Sequence, residues 1–124
     1  MIVDDSPFMR KILTDIFTQD KEIAIVGEAK NGKEALQKIP LYKPDVITLD
    51  VEMPIMDGIT TLKHIVHEYK LPVVMISSLT VEGAESTLKA LEIGAVDFIS
   101  KPKNIFSLSG ETIKYEIINK IKAA

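Results

Sequence analysis

Aspartates stand at the ends of two short apolar runs: Asp4 and Asp5 follow Ile2 and Val3, and Asp50 follows Val46 to Leu49. Ser77 and Ser78 close a third run, and Lys101 closes a fourth. Carboxylates gathered at one place raise one another's pKa unless a cation neutralises them. An all-oxygen cluster that keeps some water suits Mg²⁺, or Mn²⁺ in its place. A carboxylate beside such an ion can attack phosphorus and form an aspartyl phosphate, while a nearby cation neutralises the transferring oxygens. In that chemistry Asp50 is the candidate acceptor, Asp4 and Asp5 the companion carboxylates, and Lys101 the cation. Ser77 is a hydroxyl able to bind a further phosphoryl oxygen. Taken singly, each residue has a plainer explanation: a turn or capping aspartate, a strand-end aspartate, a solvated serine or lysine. Their joint position after successive apolar runs is what points to a site.

For these side chains to meet, the runs carrying them must be strands of one sheet. Runs rich in Val and Ile alternate with longer segments of helical period, the pattern of a parallel sheet covered by helices on both faces. Strands are predicted at Ile2 to Val3, Ile23 to Gly27, Val46 to Leu49, Val73 to Ile76 and Val96 to Ile99. A first helix is predicted over Pro7 to Thr18, with Ser6 as N-cap and Pro7 at its first position. The second covers about Gly32 to Tyr42, with Pro40 expected to end it early or kink it. Three more span Ile59 to Tyr69, Val81 to Leu91 and Thr112 to Lys122. Five βα units with right-handed crossovers predict an α/β fold, a flavodoxin-like (βα)5 three-layer sandwich with parallel strand order 2-1-3-4-5. In that order ligands bind beyond the carboxyl ends of strands one and three, where the three aspartates lie. Only three residues precede Asp4, few for a central strand, so several upstream residues are expected in the natural chain.

With 124 residues, 46% of them hydrophobic and 27% charged, one domain over residues 1–124 is expected. Eighteen acidic against fifteen basic side chains give a net charge of −3, which offers no positive field for a nucleic-acid backbone. Cysteine is absent, which excludes disulfides and thiolate chemistry. No apolar run approaches the roughly 20 residues of a membrane span, and none has the layout of a signal peptide. A cytoplasmic protein is expected.

In order and spacing, the blocks VDDS, VITLDVEMPIMDG, VVMISS and GAVDFISKP resemble the signature of the response-regulator receiver family over essentially the whole chain. The resemblance implies that Asp50 is phosphorylated, and that Asp5, Asp50 and the main-chain carbonyl of Glu52 bind Mg²⁺ directly while Asp4 acts through water. It further implies that Ser77 binds the phosphoryl group, that Lys101 pairs with it, and that the Lys101–Pro102 bond is cis. Ser77 stands where many receivers have Thr and Phe98 where many have Tyr, so the family's conformational switch is present in variant form. SPFMRKILTDIF, SSLTVEGAESTLKALEIGAVDFISKP and FSLSGETIKYEIINKIKAA resemble one branch, the receivers of chemotaxis protein-glutamate methylesterases (CheB). That branch implies a chemotaxis-type (CheA-like) histidine kinase as phosphodonor and a C-terminal methylesterase domain as the controlled partner. No Gly-x-Ser-x-Gly-like elbow occurs within the chain.

A stand-alone receiver is the nearest alternative. An aspartyl-phosphate phosphatase of the haloacid-dehalogenase type would need an Asp-x-Asp pair and a cap, and Asp50-Val51-Glu52 matches it only in part. A dinucleotide-binding domain would need Gly-x-Gly-x-x-Gly after the first strand, where the chain reads Asp-Asp-Ser-Pro. His64 and His67, three apart on a predicted helix, have no Cys or further His beside them and read as a solvated face. Met53, Met56 and Met75 read as packing or loop residues.

Overall fold

The computed structural model describes residues 1–78, 80–101 and 111–124. The chain alternates β1 (Ile2–Val3), α1 (Pro7–Thr18), β2 (Glu28–Ala29), α2 (Gly32–Tyr42), β3 (Ile47–Asp50), α3 (Gly58–His64), β4 (Val73–Ser78), α4 (Val81–Ile93), β5 (Asp97–Lys101) and α5 (Glu111–Ala123). The strands form one parallel sheet in the order β2-β1-β3-β4-β5, as the sequence predicts.

Alternation along the strands divides the core in two. Val3, Ile47, Leu49, Val73 and Met75 face one side, where they pack with Ala35, Ile39, Leu62 and Ala90. Ile2, Val74, Ile76 and Ile99 face the other and meet Met9, Leu13 and Ile16 of α1 and Ile117 of α5. β4 is therefore apolar on both faces, and β3 is buried on both with Thr48 and Asp50 on the α1 and α5 side, the mark of a sheet covered by helix layers. Truncating a fully buried side chain such as Ile117 to Ala would cost about 2–5 kcal/mol.

Local signals set the helix ends. Ser6 Oγ accepts from the Met9 amide at 3.2 Å, with Pro7 in the first turn. Asn31, Asp57 and Thr80 cap α2, α3 and α4 in the same way, each accepting from an amide three residues on. Gly94, at φ 137°, ends α4 in a backbone conformation that favours glycine.

Three expectations shift. The paired part of the second strand is Glu28–Ala29 rather than Ile23 to Gly27. Ile2 lies opposite Glu28 and its amide donates to Gly27 O, so residues 23–26 fall below the level of β1 and make no ladder with it. Pro40 neither ends nor breaks α2. It sits in the last turn, and Lys43 closes the helix in a left-handed conformation with its amide on Ile39 O. The third helix widens after His64 into a π-helical turn, Ile65–Tyr69, closed by the Lys70 amide on Ile65 O.

Candidate functional site

The sheet register assembles the acidic cluster. Val3 pairs with Leu49, which sets Asp4 of the β1 end level with Asp50 of the β3 end. Asp4 and Asp50 are buried and Asp5 is exposed, and one carboxylate oxygen of each lies within 4.8 Å of the others. The chain leaves Asp50 in a fixed path: the Val51 amide continues the ladder to Ile76 O, and the Gly58 amide returns to Val51 O at 2.9 Å. A Cβ at Gly58 would collide with the backbone of Asp50 and Val51, so only glycine lets α3 begin this close to the end of β3.

Lys101 reaches across the end of β4 from β5. Its Nζ lies 3.2 Å from Asp50 Oδ1 and 3.6 Å from Asp4 Oδ2, one ammonium between two buried carboxylates. Asp4 is held from below: its Oδ1 accepts from the Ser6 amide at 2.9 Å, and its carbonyl accepts from Arg10 Nη1 at 2.7 Å. Arg10 carries no sequence signal beyond a basic residue on the first helix. Asp4 Oδ2 is buried with no hydrogen-bond donor, since the ammonium at 3.6 Å is an ion-pair neighbour only.

One cation does not balance this cluster. Burial and then the neighbouring Asp4 charge push the Asp50 carboxyl up to about 7, against the pull of Lys101 and of the Glu52 amide. Burial likewise raises Asp4, opposed by the Ser6 amide and Lys101. An orphaned buried carboxylate oxygen beside two others is a donor set that fits a hard dication. Asp5, Asp50, Glu52, Met53 and Lys101 line a cleft of about 410 Å³ over the cluster, open to an incoming ligand.

The remaining candidates lie apart. Ser77, one residue beyond Ile76 and opposite Ser100, turns away from the cleft toward α4, where its Oγ lies 2.8 Å from Thr87 Oγ1. Phe98, half-buried, lines the same groove, and Lys120 of α5 holds its back: Nζ stands 5.0 Å from the ring centroid and donates to Phe98 O at 2.7 Å. Thr87 and Lys120 were missed by the sequence reading, since a threonine and a lysine at helical spacing are ordinary. His64 pairs with Glu68 at 3.0 Å on an exposed helix face, as expected of a solvated stretch. The Lys101–Pro102 bond lies outside the described residues.

A parallel sheet in this order, with an acidic pair, a strand-end aspartate and a lysine converging at its carboxyl edge, defines a class of signalling domain. The chain belongs to the response regulator receiver domain family, whose model matches residues 1–110. Receivers of this family bind Mg²⁺ at an acidic pocket, the position of Asp4, Asp5 and Asp50 here. Among its relatives, the protein-glutamate methylesterase/protein-glutamine glutaminase of Bacillus subtilis strain 168 is 53% identical over 124 residues, covering all of this chain and 35% of the relative. That of Pyrococcus abyssi is also 53% identical, with 34% of its length covered. The chain thus spans about a third of the curated relatives it matches. The response regulator domain of Thermotoga maritima CheB superposes with a TM-score of 0.89 at 48% identity, covering 99% of this chain and 92% of that one. The CheX-CheY-BeF3-Mg²⁺ complex of Borrelia burgdorferi gives 0.80 at 35% identity, covering 98% and 84%. These likenesses support a response-regulator role of the CheB type. Among the described residues, no helix is long and apolar enough to cross a membrane.

Proposed function

We propose that residues 1–124 are the receiver of a cytoplasmic chemotaxis methylesterase, taking a phosphoryl group from the phosphohistidine of a CheA-like kinase onto Asp50. The observation that carries this reading is the pair of buried carboxylates, Asp4 and Asp50, sharing one ammonium at the mouth of an open cleft. A protein does not bury such an excess of negative charge for stability, since desolvation outweighs what one cation returns.

In the reaction an Asp50 carboxylate oxygen attacks phosphorus, the bond from phosphorus to the donor imidazole nitrogen breaks, and the imidazole leaves. Asp50 must be ionised to do this, and its raised pKa means that the metal-free site holds it partly protonated near neutrality. Asp4, Asp5, Asp50 and the main-chain carbonyl of Glu52 would hold Mg²⁺, which supplies positive charge that favours the ionised cluster and the transferring oxygens. Lys101 already touches Asp50 and can follow a phosphoryl oxygen attached there. Ser77, at the end of the neighbouring strand, supplies a hydroxyl to another oxygen. The BeF3 and Mg²⁺ named in the similar Borrelia complex fit the same reading.

The likeness of the whole chain to about a third of the length of methylesterases supports a separate catalytic domain, expected on the C-terminal side, as the controlled element. Incubation with acetyl phosphate and Mg²⁺ should add one phosphoryl group by intact mass. Asp50→Asn should add none, and a chelator should abolish labelling of the wild type. Normal labelling of Asp50→Asn would refute the assignment.

A further inference from the structure

Ser77 and Thr87 form a bonded polar pair in a groove whose surface is mainly apolar, with Thr80 and Ser100 its other polar lining residues. Ser77 is 4% and Thr87 7% exposed, and their neighbours include Ala84, Leu88, Leu91 and Phe98. Thr87 Oγ1 has two oxygens within reach, Ser77 Oγ and the carbonyl of Gly83, each at 2.8 Å. It has one proton to give. A carbonyl can only accept, so when that proton goes to Gly83 O, the Ser77 hydroxyl donates to Thr87 and both protons are used. In a groove with so few polar atoms, that arrangement leaves neither hydroxyl unsatisfied.

The proton that Ser77 gives Thr87 is the same proton a phosphoryl oxygen would require of it. Ser77 also lines the α4 groove rather than the acidic cleft, so reaching the cleft means leaving Thr87. Thr87 loses little by the departure, because Gly83 O still takes its proton. The Ser77–Thr87 bond therefore belongs to the resting state alone.

We propose that Thr87 is a positioning residue that latches Ser77 away from the phosphoryl site and ties α4 to the resting state. This rests on the phosphoryl-acceptor reading above. Release of the latch frees the middle of α4 from the end of β4, so the occupancy of Asp50 is felt by a helix that shares no atom with the cleft beyond Gly83.

The test is a calorimetric titration with beryllofluoride in saturating Mg²⁺. Removing a bond made only at rest should favour the occupied state, so Thr87→Val should bind about five-fold more tightly than wild type, the worth of one neutral hydrogen bond. Thr87→Ala carries the same expectation should the valine variant not fold. Thr87→Ser keeps the hydroxyl and should bind as wild type does. In a Ser77→Ala background, Thr87→Val should change nothing, which separates a latch from a general effect on packing. Equal affinities for wild type and Thr87→Val overturn the latch. Weaker binding by Thr87→Val overturns it as well, since Thr87 would then support Ser77 in the occupied state. Failure of the wild type itself to bind beryllofluoride would instead remove the phosphoryl-acceptor reading.

Discussion

The two sides of β4 hold opposite materials. Toward β3 lies a cleft in which buried carboxylates outnumber the lysine that pairs with them. Toward α4 lies an apolar groove of about 580 Å³ whose polar side chains are few and small, with Ser77 and Thr87 bonded to each other. The cleft is electrostatically incomplete, an imbalance that a bound cation would offset. The groove is satisfied as it stands, and a modest change in its hydrogen bonds is enough to alter it. A site that must capture a ligand profits from a large imbalance, whereas an element that must report the capture works best when its two arrangements differ by little.

The imbalance in the cleft has the largest measurable consequence. Asp50 has a folded-state pKa of about 7, above its ordinary value. The metal-free folded protein therefore keeps a proton that the unfolded chain has already lost between about pH 4 and 7. The Asp50 contribution to stability therefore falls as pH rises through that window, and Asp4, shifted in the same direction, adds to the fall. In a chelator at pH 8, Asp50→Asn should be more stable than wild type by roughly 2–4 kcal/mol, with the gap closing toward pH 4. Thermal unfolding at several pH values reads this directly. Parallel pH profiles for the two proteins would mean that the carboxylate is not held at a cost.

Metal binding comes next in size. The exposed Asp5 is expected to coordinate directly and the buried Asp4 through water, so a Mg²⁺ titration should show Asp5→Ala weakened on the order of ten-fold or more, and Asp4→Ala less. Equal affinities for wild type and Asp5→Ala would leave Asp5 outside the site.

The groove should give the smallest signal. With beryllofluoride and Mg²⁺, NMR shifts are expected at Phe98 and along the 82–92 helix as well as around Asp50, because Ser77 and Phe98 share one groove. Shifts confined to the cleft would uncouple the two sides of β4.

Much of this was legible before any coordinates. The strand order follows from alternating Val/Ile runs and helical segments, and the sheet then brings Asp4, Asp50 and Lys101 together whatever the detail of the loops. The start of α1 could be read from Ser6 and Pro7, because capping is a local matter of one side chain and one amide. The place where β2 pairs could not, since Ile23 to Gly27 is as apolar as a strand, and only its register against β1 decides which residues bond. Pro40 misled for a related reason. A proline costs a helix most in its middle turns, and here only the last turn meets it. Thr87 was invisible because its role depends on the distance between a strand end and a helix that no spacing in the sequence encodes.

The central claim is that Asp50, rather than any neighbouring carboxylate, takes the phosphoryl group. Borohydride reduces an acyl phosphate to the alcohol, so protein treated with acetyl phosphate and Mg²⁺ and then reduced should carry homoserine in place of aspartate at position 50 on peptide sequencing by mass spectrometry. Asp4, Asp5 and Glu52 should be recovered unchanged. Homoserine at position 4 or 5, or an intact Asp50 in protein whose mass shows it to be phosphorylated, would contradict the assignment.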